Sequence, residues 1–383
     1  MRSIYFDYNA TTPLDSRVRG EMEPFLSEIH GNPSSVHHIG RRARASLDEA
    51  RDRMAVVWKC KPSEVVFTSG GTESNNLAIF GTARLLKGKK NHLITSQIEH
   101  HAVLHAFEYL EKKEGFHVTY LPVSPEGMVD PVSLKSALTP ATGLVSIMTA
   151  NNETGAVQPV ADFSKICREA SVLFHTDAVQ SFGKLPFDSI HQFGADLVSV
   201  CAHKFHGPKG SGALFIRSPL LPEPILVGGG HENERRAGTE NLPAIWGLMV
   251  ASELFVRTPV FDSARVEPLV AQLREMAQSI PGIHIRTSET RSLPNTLAMT
   301  VEKADSISLM AALDLEGICA SSGSACSAGS LEPSHVMKAM GVPPEEANAL
   351  IRFSLGRDNT EEEVEYVGKR LLQLIKQVQA WGK

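Results

Sequence analysis

The chain has 383 residues, 42% of them hydrophobic and 21% charged, an ordinary balance for a water-soluble fold with enough apolar material for a large core. Its formal charge of -5, with no block of Lys or Arg, leaves no electrostatic footprint for nucleic acid or an anionic membrane, so a small molecule or another protein is the expected partner. No charged segment followed by an apolar run opens the sequence, and the most apolar stretch, residues 244–250, is too short to cross a bilayer, which predicts a cytoplasmic protein.

From about Leu47 to Arg217 short apolar runs alternate with longer amphipathic stretches, the pattern of an α/β fold with a mostly parallel sheet flanked by helices. In chain order, strands are expected at 64–68 (EVVFT), 92–96 (HLITS), 144–149 (LVSIMT), around 173–175 and at 197–200. Helices are expected between them at 74–86, 101–113 and 160–170. A helix ending near Val256, a connector with Pro259 and Asp262, a helix at 266–279, a strand at 296–301 and a helix at 360–381 complete the chain. These predict a large domain over residues 15–260 and a smaller α+β domain over 261–383, which includes the N-terminal arm 1–14. The five cysteines, at 60, 167, 201, 319 and 326, are odd in number and contain no C-x-x-C pair, which argues against a disulfide framework or a zinc knuckle.

Polar and glycine-rich residues follow the expected strands directly, where open α/β sheets bind ligands. Thr68-Ser69-Gly70-Gly71-Thr72-Glu73-Ser74 follows a strand and opens a helix, so bare N–H groups could cradle a phosphate. An ordinary capped turn is the alternative. Asp177, three residues before Gln180, could hold a pyridinium nitrogen protonated or cap a helix. Lys204, in Cys201-Ala202-His203-Lys204-Phe205-His206-Gly207, is held at a strand end by a glycine-rich turn and suits a Schiff base, although a lone lysine in such a loop is usually solvated. The order of cradle, aspartate and lysine at successive strand ends favours the functional reading.

With these residues the chain resembles the fold-type I pyridoxal-phosphate transferases of the class V aminotransferase group, and within it the cysteine desulfurases. The resemblance also runs through Tyr5-Phe6-Asp7-Tyr8-Asn9-Ala10-Thr11-Thr12-Pro13, Gly31-Asn32-Pro33-Ser34-Ser35, Glu99-His100-His101, Asn151-Asn152-Glu153-Thr154-Gly155, Ser321-Ser322-Gly323-Ser324-Ala325-Cys326 and Ile351-Arg352-Phe353-Ser354-Leu355-Gly356. It implies that Lys204 carries pyridoxal 5'-phosphate as a Schiff base in the large cofactor-binding domain. Asp177 then pairs with the ring nitrogen, Gln180 and Asn152 meet the ring hydroxyl region, and His100 lies over the ring face. Gly71, Thr72, His203 and position 201 bind the phosphate, with Thr239 reaching in from the second subunit of a homodimer. Position 201 departs from the family's usual serine, since Cys201 is a weaker hydrogen-bond donor. Arg352 binds the substrate carboxylate with help from Asn32; a surface ion pair is its plain alternative.

Cys326 sits among Ser, Gly and Ala in the small domain, a composition with conformational freedom. The resemblance implies that its thiol takes sulfur from L-cysteine, leaves L-alanine and hands the persulfide to an acceptor such as an iron-sulfur scaffold. The adjacent His101 and His105 could suggest zinc, but no metal site is expected without a third ligand cluster. A selenocysteine lyase and a non-catalytic sulfur-carrier partner are the competing readings. The first would depend less on Cys326, and the second would bind partners without forming alanine.

Overall fold

The computed structural model describes residues 3–323 and 333–381. Among them the strands are β1 (Ile4–Tyr5), β2 (Val65–Thr68), β3 (His92–Ser96), β4 (His117–Leu121), β5 (Thr142–Ser146), β6 (Leu173–Asp177), β7 (Leu197–Cys201), β8 (Gly212–Ile216), β9 (Ile283–Ile285), β10 (Thr296–Val301), β11 (Ile318–Cys319) and β12 (Leu350–Ser354). Seven form one sheet in the order β2-β8-β7-β6-β5-β3-β4. Strand β8 runs antiparallel to both neighbours, β2 and β7, so the other six run the same way and end at one edge. The expected mostly parallel sheet is therefore present. β2, β3, β5, β7 and β8 are buried at every position, as strands covered by helices on both faces must be.

Two boundaries moved in ways that matter for chemistry. The helix after β2 starts at Gly71, not Ser74, and runs to Leu86, because Gly70 serves as the cap and makes the turn very short. β5 ends at Ser146 although the expected strand ran to Thr149. Ile147 N and Thr149 N still bond His175 O and Asp177 O, so the chain keeps company with β6 while it turns over the sheet edge.

A second sheet, β12-β10-β9, is antiparallel, and β1 pairs in parallel with β11. Ile4 and Phe6 from the N-terminal arm belong to the same apolar cluster as Leu297, Ile351, Phe353, Val367 and Leu371. Phe6 meets Phe353 edge to face at 6.1 Å, and burying one such ring stabilises the fold by ~2 kcal/mol. Beyond Phe6 the arm runs onward to the edge of the large sheet, where Thr12 N bonds His203 O at 2.9 Å.

Candidate active site

A cavity of about 240 Å³ opens at the carboxyl ends of the parallel strands. Its components come from the ends of β2, β3, β5, β6 and β7. After β2, Gly71 and Thr72 form the first residues of a 16-residue helix and bring its positive end to the cavity. A Cβ at Gly71 would lie 2.8 Å from Val179 Cγ2, so only glycine lets this turn approach the loop after β6. After β3, His100 caps the helix His101–Glu114. After β5 comes Asn152, at the end of β6 Asp177 followed by Gln180, and from β7 Cys201, His203 and Lys204. Arg352, on β12 of the second sheet, closes the wall.

The electrostatics follow from burial. Asp177 accepts from Val179 N at 2.9 Å and from Asn75 Nδ2 at 2.6 Å. Loss of water pushes its carboxyl up, and those two hydrogen bonds and the Lys204 charge pull it back. Lys204 Nζ donates to Asn9 O at 2.7 Å and Ala10 O at 2.8 Å, and burial pushes the amine down from its ordinary range. Burial, then the Lys204 charge, lowers His100 to about 4 and His203 to about 3, so both imidazoles are neutral near pH 7. His100 Nδ1 accepts from Ala102 N at 3.0 Å, which fixes the neutral ring as the tautomer with its proton on Nε2. Burial pushes the Cys201 thiol up to about 11, against backbone N–H bonds from Gly71 and Lys204 that favour a thiolate.

Arg352 is 1% exposed. One terminal nitrogen donates to Asn152 O at 2.7 Å and the other to Asp7 Oδ1 at 2.6 Å, while its buried Nε has no partner among the described residues. It is a buried ion pair at the cavity wall rather than a surface one. Asn9, Asn75 and Asp7 were missed as functional candidates. Asn9 and Asp7 stand in the N-terminal motif, but nothing local says that the arm returns to this cavity, and Asn75 is hidden inside an ordinary helix pattern.

Three candidates do not line the cavity. Asn32 is exposed and its Oδ1 caps Ser34 N at 2.8 Å. Thr239 is exposed on a segment that Arg236 ties to Glu73 at 2.7 Å, beside the cradle helix of its own chain. Cys326 lies outside the described residues. His101 stacks on His105 at 4.8 Å, and His335 packs on His101 at 4.7 Å. The first pair is stacked at 13° between planes and the second tilted at 39°, and no cluster with metal-ligand geometry occurs among the described residues.

An amine, a carboxylate, a neutral imidazole and a guanidinium around a helix N-terminus, on a seven-stranded sheet of this order, define a class of transferase. The chain belongs to the aminotransferase class-V family, whose match covers residues 4–367. Within that family its relatives are cysteine desulfurases. The cysteine desulfurase IscS of Dictyoglomus turgidum is 46% identical over 98% of this chain and 95% of its own length. The human cysteine desulfurase is 41% identical over 99% of this chain and 83% of its own. Among solved structures, a NifS-like protein superposes with a TM-score of 0.91 at 39% identity, covering 98% of this chain and all (100%) of the other. SspA in complex with cysteine gives 0.82 at 37% identity, over 94% and 100% of the two chains. No helix among the described residues is long and apolar enough to cross a membrane.

Proposed function

We propose that the chain is an L-cysteine desulfurase that works with pyridoxal 5'-phosphate and passes sulfur, as a persulfide on Cys326, to an acceptor such as an iron-sulfur scaffold protein. The observation that carries this reading is the meeting of Lys204, Asp177, His100 and Arg352 in one cavity. The cavity's chemistry suits the cofactor. Asn75 Oδ1 and Arg352 Nε are buried there without partners among the described residues, and an unpaired buried polar atom costs ~1–3 kcal/mol until a ligand meets it. Gly71, Thr72, Cys201 and His203 would hold the phosphate, Asp177 the ring nitrogen, Gln180 and Asn152 the ring hydroxyl, and Lys204 the aldehyde carbon. Bound pyridoxal phosphate supplies an electron sink for the substrate's α-carbon.

The chain's own residues supply the rest. Arg352 offers a rigid fork to the substrate carboxylate. Lys204, whose amine loses its proton more readily than a solvated lysine, is the base at the α-carbon. His100 holds its proton at Nε2 and serves as a donor while Ala102 N–H occupies Nδ1. The thiolate of Cys326 attacks the substrate sulfur: an S–S bond forms, the substrate C–S bond breaks with its electron pair staying on carbon, and protonation there yields L-alanine.

The same reading extends to the assembly. A homodimer in which Thr239 reaches the partner's phosphate site accounts for a family motif that is exposed and outside its own cavity. Free thiols at Cys60, Cys167, Cys201 and Cys319 suit a reducing cytoplasm. The two largest apolar clusters accord with a cofactor-binding domain over 15–260 and a small domain over 261–383 that takes in the arm 1–14, and a smaller cluster with Ile98, Met148, Ala298 and Val336 joins the two. Mass spectrometry of the protein after incubation with cysteine tests the function. A mass gain of one sulfur on Cys326 with alanine release is expected; full alanine and sulfide production by Cys326→Ala, with cofactor bound, would overturn it.

A further inference from the structure

Beneath the cavity lies a second lysine that the chemistry above does not use. Lys184 is 1% exposed and follows the turn after β6. Gly183 has φ +78°, and a Cβ there would sit 2.6 Å from Phe205 Cβ, so glycine permits the tight turn that drives the next side chain inward. The ammonium lies 5.0 Å from the Phe261 ring centroid. Its Nζ donates to Asn9 Oδ1 at 2.6 Å and to Gln180 Oε1 at 2.8 Å.

Both amides turn an oxygen towards Nζ, so the lysine is the donor in each contact. For Gln180 this leaves Nε2 facing the other way, where it donates to Asn9 O at 2.9 Å. That same carbonyl accepts from Lys204 Nζ. Asn9, held by its oxygen, directs Nδ2 to Thr296 Oγ1 at 2.8 Å. Asn9, Gln180 and Lys204 all line the cavity. We propose that Lys184 is a positioning residue that sets the amide orientation of Gln180 and Asn9, so that the cavity beside Lys204 is presented with N–H donors from Gln180 rather than a carbonyl.

The consequence rests on the proposed cofactor. A donor facing the ring hydroxyl favours its ionised form, whereas a flipped amide would oppose it. Other charges act on Lys184 from its surroundings: Lys204 and Arg352 as like charges, Asp7 and the Cys201 thiol in the opposite sense. Burial pushes the amine well down; an apolar residue of similar length removes that desolvation cost and leaves only Gln180 Oε1 without a donor, since Asn9 Oδ1 still accepts from Asn295 Nδ2 at 3.2 Å, so the two effects on the fold oppose each other. Positioning and structural roles are thereby separable.

The test is Lys184→Met in the holoprotein, read by the pH midpoint of the visible cofactor band, the cofactor Kd and the urea midpoint. A midpoint moved by about 0.5 unit or more and a Kd raised roughly tenfold, with an unchanged or higher urea midpoint, is expected. In a Gln180→Met background the shift should shrink by at least half, because the two residues act as one unit. A wild-type band with an unmoved midpoint in Lys184→Met, or a full shift in the Gln180→Met background, overturns the Lys184 assignment alone. A wild-type protein with no visible band after addition of pyridoxal phosphate overturns the functional reading as well. Should Lys184→Met not fold, a crystal structure of the wild-type holoprotein decides. Nζ beyond 3.5 Å from both amide oxygens overturns the assignment, and the contacts described here uphold it.

Discussion

Cys201 lies beside the helix that begins at Gly71, at the position where the resemblance to cysteine desulfurases implies a serine. With its thiol held neutral and 1% exposed, it offers a phosphate a weaker donor than a hydroxyl would. Cys201→Ser is expected to tighten cofactor retention by ~1 kcal/mol, about fivefold in Kd, and dialysis followed by cofactor absorbance would check it. His100 gives a second expectation. Its imidazole stays neutral down to about pH 4, so its ring resonances in NMR should not titrate between pH 5.5 and 8. A midpoint near an ordinary histidine value would contradict the burial argument. At this scale the sequence was legible where order along the chain carried meaning: Gly71, Asp177 and Lys204 stand at the carboxyl ends of β2, β6 and β7, which run the same way. Lys184 was not legible, since a lysine in a turn normally reads as solvated, and only the packing of Gly183 against Phe205 turns it inward. His100 both caps the helix that follows it and lines the cavity.

Among the elements, the N-terminal arm contributes more to the site than its length suggests. β1 pairs with β11, Asp7 meets Arg352, and Asn9 O receives Lys204 and Gln180. Removing residues 1–9 is expected to cost at least tenfold in cofactor affinity, because Arg352 would lose a buried charge partner worth ~3 kcal/mol or more; absorbance and thermal unfolding would register the loss together. Local pattern showed the helix-covered strands β2, β3, β6 and β7 because their apolar runs are short and bounded by polar turns. It did not show β1, β11 or β9, which are two or three residues long and exist only through pairing with distant segments. β8 runs antiparallel to β7 because only the short segment 202–211 joins them, a direction its own residues do not encode.

At the level of the whole molecule, two fully buried histidines make stability depend on pH. Burial lowers His175 to about 3 and His206 to about 4. Below about pH 6.5 the unfolded chain takes up protons that the folded chain refuses. Stability is then lost as pH falls, by up to ~1.4 kcal/mol per pH unit for each ring. Glu99, raised by burial to about 8, and Asp177, also raised by burial, act in the opposite sense, and two carboxyls do not offset four imidazoles once His100 and His203, lowered likewise, are added. Urea midpoints should therefore fall between pH 6.5 and 5. Assembly supplies a second expectation at this scale. Thr239→Val should weaken cofactor retention several-fold although Thr239 is exposed and outside its own cavity; unchanged retention in the dimer would remove the inter-subunit contact from the proposal.

The arm also orders events in time. A ribosome makes Asp7 and Asn9 early, yet their partners Lys204, Thr296 and Arg352 emerge far later, and the hydrogen bonds between them span as many as 345 positions. Loop closure of that span comes late in folding. A nascent chain that already has its first parallel strands therefore still lacks the floor beneath Lys204. Cofactor capture should follow release of the finished polypeptide, so that colour in the preparation reports completed folding rather than the start of it.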